Sequence, residues 1–140
     1  MKTAYKLACL FIIQCCFCQI SFSQNIPDAD LPAKVYFIRH TGFEGSAVSF
    51  KAVINKEVVC KLANKRYSIH ELPAGEHSFS VQFSGKQADP LTMHIEPGKT
   101  YYLYMVLQPG VMKTALYCIE ITENAAQFFL KACEQHTKCL

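Results

Sequence analysis

Eight cysteines and five histidines carry most of the reactive chemistry in this 140-residue chain. Three of them fall close together near the C-terminus, as Cys133-x-x-His136-x-x-Cys139. Thiolate and imidazole are ligands that suit zinc. The set offers only three ligands, however, and in an exported protein disulfide formation competes with metal binding. A Cys133–Cys139 bridge closes the smallest loop and is the expected state, so no metal site is assigned. Cys60 and Cys118 lie in strand-like runs and read as small buried hydrophobes. On spacing alone, the three full pairings of Cys60, Cys118, Cys133 and Cys139 remain open.

The other histidines are His40, His70, His77 and His94, and none meets a nucleophile or base at a recognisable spacing. His77 follows Pro73-Ala-Gly75 and is expected to orient that turn through a hydrogen bond to backbone. An enzyme would need His40, His70 or His77 to meet a carboxylate such as Glu44 or Glu71 in a cleft. The aspartates are Asp28, Asp30 and Asp89, and no carboxylate pair suggests glycosidase chemistry. Ser46, in Gly45-Ser-Ala, lacks the glycine frame of a nucleophile elbow. No loop has the glycine pattern that cradles phosphate. No catalytic residue and no cofactor is assigned, and a non-enzymatic protein is expected. Tyr102 and Tyr104 are the candidate binding surface: exposed, they would form an aromatic ladder for sugar or protein contact. The competing expectation is that Phe128 and Phe129 pack over them.

Those side chains must be placed by strands. Phe79, Val81 and Phe83 alternate with Ser78, Ser80 and Gln82, and Leu91, Met93 and Ile95 alternate with Thr92 and His94. A period of two puts one set of side chains on a dry face and the other on a wet one. Residues 101–107 are apolar on both faces, with Leu103, Met105 and Leu107 opposite Tyr102, Tyr104 and Val106, which predicts an interior strand. Residues 35–39 read the same way. Val48, Phe50, Ala52 and Ile54 share the inner face of a strand over 47–54. Asn55-Lys56 predicts a tight hairpin into 57–62, with Val58, Cys60 and Leu62 inward. Pro73 and Gly75 suit a type I turn, and Pro97-Gly98 a type II turn. Alternation resumes over 112–121. The period then changes: Ala125, Phe128, Phe129, Ala132 and Cys133 recur at helical spacing, which predicts a helix over about 122–133, capped by Thr122 or Asn124. Residues 136–140 are expected to fray.

The N-terminus reads as an export signal over 1–23. Lys2 and Lys6 precede a mostly apolar stretch over 7–20, and Ser21 and Ser23 are the small residues before a cut at Gln24. The stretch is short for a membrane span, and Gln14 and Gln19 interrupt it. An exported product, periplasmic or secreted, with no stable membrane span after cleavage is expected. A polar leader over 24–33 precedes a single domain over 34–140. Lys2 and Lys6 account for two of the three net positive charges of the chain, which leaves +1 for the remainder. The basic residues are scattered, so nucleic acid is not an expected partner.

Tyr36-Phe-Ile-Arg39, Gly45-Ser-Ala47, Pro73-Ala-Gly-Glu-His77 and Gly98-Lys-Thr-Tyr-Tyr102 together resemble domain-of-unknown-function family 2846, over about residues 34–121. That is a group of small bacterial envelope proteins, itself similar to PEGA-type surface modules. The resemblance implies a small antiparallel β-sandwich of about seven or eight strands. The sequence departs from the pattern at Asn55-Lys56, where a glycine is common, and at Pro-Ala-Gly, where glycine often follows proline directly. It also lacks the lipoprotein cysteine of many relatives. The expected function is that of an exported envelope or periplasmic module binding another envelope protein or a cell-surface component. The alternative is a small-ligand binder, for example of carbohydrate, using an aromatic sheet face.

Overall fold

The structure is a computed structural model that describes residues 31–42, 45–108 and 115–139. The expected signal over 1–23 and most of the leader lie outside the described residues. The described chain is mainly β: ten strands in two five-stranded sheets, with one short C-terminal helix. The strands are β1 (Ala33–Arg39), β2 (Phe50–Ile54), β3 (Glu57–Leu62), β4 (Arg66–Leu72), β5 (Gly75–Phe83), β6 (Lys86–Gln87), β7 (Leu91–Ile95), β8 (Thr100–Gln108), β9 (Ala115–Ile121) and β10 (Glu134–Gln135). The helix, α1, is Glu123–Leu130. No described helix is long and apolar enough to cross a membrane.

The first sheet runs β10-β4-β1-β8-β9. It is mixed, because β1 lies parallel to β8 and β10 parallel to β4. The second sheet runs β3-β2-β5-β6, with β7 also pairing β5, and is antiparallel throughout. The expected mainly β sandwich with a short C-terminal helix is what the structure shows, with ten strands where about seven or eight were expected and with one of its two sheets mixed. The missed strands, β6 and β10, have two residues each, too short to show a period. Both runs that were apolar on two faces, β1 and β8, are interior strands of the first sheet. The core fills the space between the sheets with Val35, Phe37, Phe50, Leu62, Phe79, Val81, Ile95, Leu103 and Met105, all fully buried. Each of the larger of these contributes about 2 kcal/mol by burial.

The two proline turns differ from hairpins in one respect: both cross from one sheet to the other. Pro73–Ala74 carries the chain from β4 to β5, with Gly75 at φ 136. Pro97–Gly98 carries it from β7 to β8, where the Lys99 amide donates to the Glu96 carbonyl at 3.4 Å. Gly98 sits at φ 68, as a glycine in the third position of such a turn allows. Asn55 and Lys56 make the predicted hairpin with φ of 48 and 72, the two positive values that a two-residue turn requires. A register shift at Ala52/Val53 interrupts the alternation of β3. Val59, not the expected Val58, consequently packs against the core. Residues 45–48 form a turn, so β2 starts at Phe50 and not at Ala47. The first strand begins at Ala33, and the carbonyl of Leu31 accepts from the Gly98 amide, which ties the end of the leader to the fold.

Candidate functional site

The C-terminal segment differs most from expectation. Thr122 caps α1, its side chain accepting from the Ala125 amide at 3.4 Å. The helix stops at Leu130, short of the expected 133. The chain then turns back along the outer edge of β4. Glu134 donates its amide to the Lys65 carbonyl at 3.0 Å, and His136 donates to the Tyr67 carbonyl at 2.7 Å. Arg66 and Glu134 form an exposed ion pair at 2.6 Å. This path carries Cys139 to β3, where it is disulfide-bonded to Cys60.

Two expectations are corrected here. Cys133 and Cys139 do not form the short bridge. Cys133 is a free thiol whose Sγ donates to the Arg39 carbonyl at 3.6 Å, and the tail, once paired with β4, leads Cys139 away from it. Residues 136–139 do not fray, because one end is hydrogen-bonded to β4 and the other is covalently bonded to β3. Beside the bridge stands His70 of β4. One ligand atom from each of Cys60, His70 and Cys139 lies within 4.8 Å of the others. His70 Nε2 shares a hydrogen bond of 2.9 Å with the buried Ser68 hydroxyl, and its ring meets Phe37 edge-on. Burial pushes the His70 pKa down and favours the neutral imidazole. Among the described residues this is the one His/Cys/Asp/Glu cluster with metal-binding spacing, so the Cys133, His136 and Cys139 triad is not brought together.

Tyr102 and Tyr104 do not form an exposed ladder. Tyr102 is 9% exposed and packs on Tyr36 with ring centroids 5.0 Å apart. Tyr104 stacks on Phe129 of α1 at 4.5 Å and donates its hydroxyl to the His40 carbonyl. Burial raises both phenol pKa values. Of the two phenylalanines expected to pack on the sheet, Phe129 does so, while Phe128 is 72% exposed. A 100° step per residue cannot aim two consecutive side chains at one surface, and Ala126, Leu130 and Phe129 take the inner face.

The outer face of the first sheet is apolar well beyond the helix. Cross-strand register places Tyr117 opposite Val106 and Ile119 opposite Tyr104 on that face. Tyr117 is 45% and Ile119 44% exposed. Both sit on β9, which among the described residues pairs only with β8. Between β8, β9 and the start of α1 lies a cavity of about 420 Å³, lined by Tyr101, Tyr102, Glu120, Thr122 and Glu123 among others.

Two of the remaining histidines, His77 and His40, make side-chain contacts within the fold. His77 Nδ1 accepts from the Asn55 amide group at 2.9 Å, and its Nε2 donates to the Pro73 carbonyl at 3.0 Å. It thus ties the β2–β3 hairpin to the first proline turn, the turn-orienting role expected of it. His40 packs on Phe129, and His94 is exposed on β7. Glu71 lies on the face of β4 opposite His70, since neighbours on a strand point apart. Glu44 lies outside the described residues.

Sequence reasoning also missed Arg39. It is fully buried, with Nη1 donating to the Leu62 carbonyl and Nη2 to the Gly45 carbonyl, each at 2.6 Å. Its guanidinium carbon lies 3.7 Å over the Phe50 ring. Burial pushes its pKa down to about 10, so it remains a cation at neutral pH, held by carbonyl dipoles and an aromatic face. A strand ending in arginine gives no signal that the charge turns inward.

No protein-family model matches the chain, and neither a curated protein nor a solved structure matches it.

Proposed function

We propose that the protein is an exported, non-enzymatic module of the bacterial envelope that binds another envelope protein through β9 and α1. The observation that carries this reading is the exposure of Tyr117 and Ile119 on one face of the edge strand β9, with Phe128 exposed on α1. Exposed aromatic and branched side chains favour protein contact, and an edge strand offers backbone donors and acceptors for an added strand. The signal-like N-terminus and the resemblance of residues 34–121 to family 2846 support the envelope setting.

The test is a photo-crosslinking side chain placed at position 119, compared with one at exposed Lys61 on β3, in the native envelope. A defined protein captured from 119 and not from 61 is the expected result. Capture at neither position, or equally at both, contradicts the reading.

The second reading is a carbohydrate-binding module. It draws support from the cavity beside Tyr101, whose size and mixture of aromatic, hydroxyl and carboxylate groups suit a small polyhydroxylated ligand. Saturable glycan binding lost in Glu123→Ala and kept in Ile119→Ser would favour it over the first.

A further inference from the structure

The Cys60–Cys139 bridge and His70 come from three separate segments: β3, the C-terminal tail and β4. They meet where β3 and β4 leave one side of the sandwich open. Cys60 is fully buried, while His70 and Cys139 are part-exposed. The 2.9 Å hydrogen bond between His70 Nε2 and Ser68 Oγ holds the ring in one orientation, and in the tautomer in which Nε2–H donates, Nδ1 presents its lone pair. The ligand atoms already lie within 4.8 Å of one another, so only local adjustment separates the bridged arrangement from a coordinating one.

We propose that Cys60, His70 and Cys139 form a redox-gated zinc site, closed as a disulfide in the oxidised protein and opened to Zn²⁺ by reduction. A dithiol reductant attacks one sulfur of the bridge. The Cys60–Cys139 bond breaks, the dithiol supplies two electrons and becomes a disulfide, and its two protons end on the cysteine sulfurs. Zn²⁺ then displaces both protons. Two thiolates and a neutral imidazole bind it, so the ligand charge cancels that of the ion. The fourth tetrahedral position falls to water on the part-exposed side. Two sulfurs and one nitrogen suit zinc better than magnesium or calcium, which prefer oxygen. The reduced tail, released from its covalent tie, would be held again by the metal. This inference does not depend on the proposed contact surface at β9.

The test uses the full chain, reduced with a phosphine and exchanged anaerobically, then titrated with Zn²⁺ or with Co²⁺ as a spectroscopic stand-in. The readout is the metal equivalent lost in Cys60→Ser, which removes any contribution from Cys9, Cys15, Cys16 and Cys18. Reduced wild type is expected to bind one such equivalent, with thiolate-to-cobalt charge-transfer bands and tetrahedral ligand-field bands for Co²⁺. The oxidised protein is expected to lack it. His70→Ala should weaken binding at least ~10-fold, the lower end of what disturbing a ligand set costs. Cys133→Ser and His136→Asn should leave binding unchanged. If reduction unfolds the chain, Zn²⁺ should restore its far-UV circular dichroism. Reduced protein that takes up no zinc, folded or not, overturns the proposal. So does equal uptake by the oxidised protein, or loss of uptake in Cys133→Ser.

Discussion

On one open side of the sandwich, β3 and β4 meet a tail that pairs along the sheet as β10 and ends in a covalent bond to β3. On the other side, β9 ends its sheet with Tyr117 and Ile119 exposed, and a cavity of about 230 Å³ lies among Phe83, Lys86, Leu107 and Leu116. Both sides face the same physical problem. A two-sheet sandwich has edges whose backbone groups lack partners within the sheet, and exposed edges invite pairing with other chains. The C-terminus covers one edge, while among the described residues β9 pairs with nothing but β8. On the proposed reading β9 has to stay open to its partner, while the opposite edge is free to be closed.

The largest expected effect breaks the closed side. The bridge joins residues 79 apart in sequence, and a loop of that length constrains the unfolded chain by about 4 kcal/mol. Cys60→Ala/Cys139→Ala should therefore lower the unfolding free energy by roughly that amount in urea titrations. Reducing the wild type without metal should do the same, and the double variant should no longer respond to reductant.

The helix sharpens the comparison within a single turn. Phe129 packs on Tyr104 and His40, whereas Phe128 points to solvent. Phe129→Ala is expected to cost about 2 kcal/mol, since the ring is only partly buried, and Phe128→Ala less than about 0.5 kcal/mol. Equal costs in thermal denaturation would mean that the helix is rotated.

The free thiols probe the two sides chemically. Cys118, on the inner face of β9, is buried and its pKa is pushed up to about 12 from an ordinary 9.0. The folded chain keeps this proton where the unfolded chain has lost it. Stability from this source is complete below pH 9 and is lost as pH rises toward 12. Cys118→Ala should flatten that part of the alkaline profile. Burial also raises the Cys133 pKa, partly offset by Lys65, but the thiol is less enclosed. Alkylation of the native protein should reach Cys133 before Cys118. The smallest stability effect belongs to the open side: Tyr117→Ser/Ile119→Ser should change unfolding free energy by no more than about 0.5 kcal/mol per site while abolishing crosslinking from β9.

Much of this was legible in the residues, for identifiable reasons. Side-chain alternation needs no long-range information, so β5, β7 and β8 were readable with their faces; the alternation of β9 was readable too, but its larger apolar side chains, Tyr117 and Ile119, face outward while Cys118 enters the core. Asn55-Lys56 and Pro97-Gly98 determine local backbone, so both turns were readable too. Which sheet each strand joins was not readable. Pro73-Ala-Gly75 has the same composition whether it folds a hairpin or, as here, passes between sheets. The bridge was misread because loop length was weighed without the path of the tail, and that path depends on β10, two residues with no pattern of their own. Arg39 and His70 were missed as neighbours of anything, since their surroundings come from strands distant in sequence.

Peptide mapping of the non-reduced protein tests the closed side most directly. A Cys60–Cys139 cross-linked peptide, with Cys118 and Cys133 recovered as free thiols, is the expected result. A Cys133–Cys139 peptide would detach the tail from β3, open both sides alike, and contradict the account.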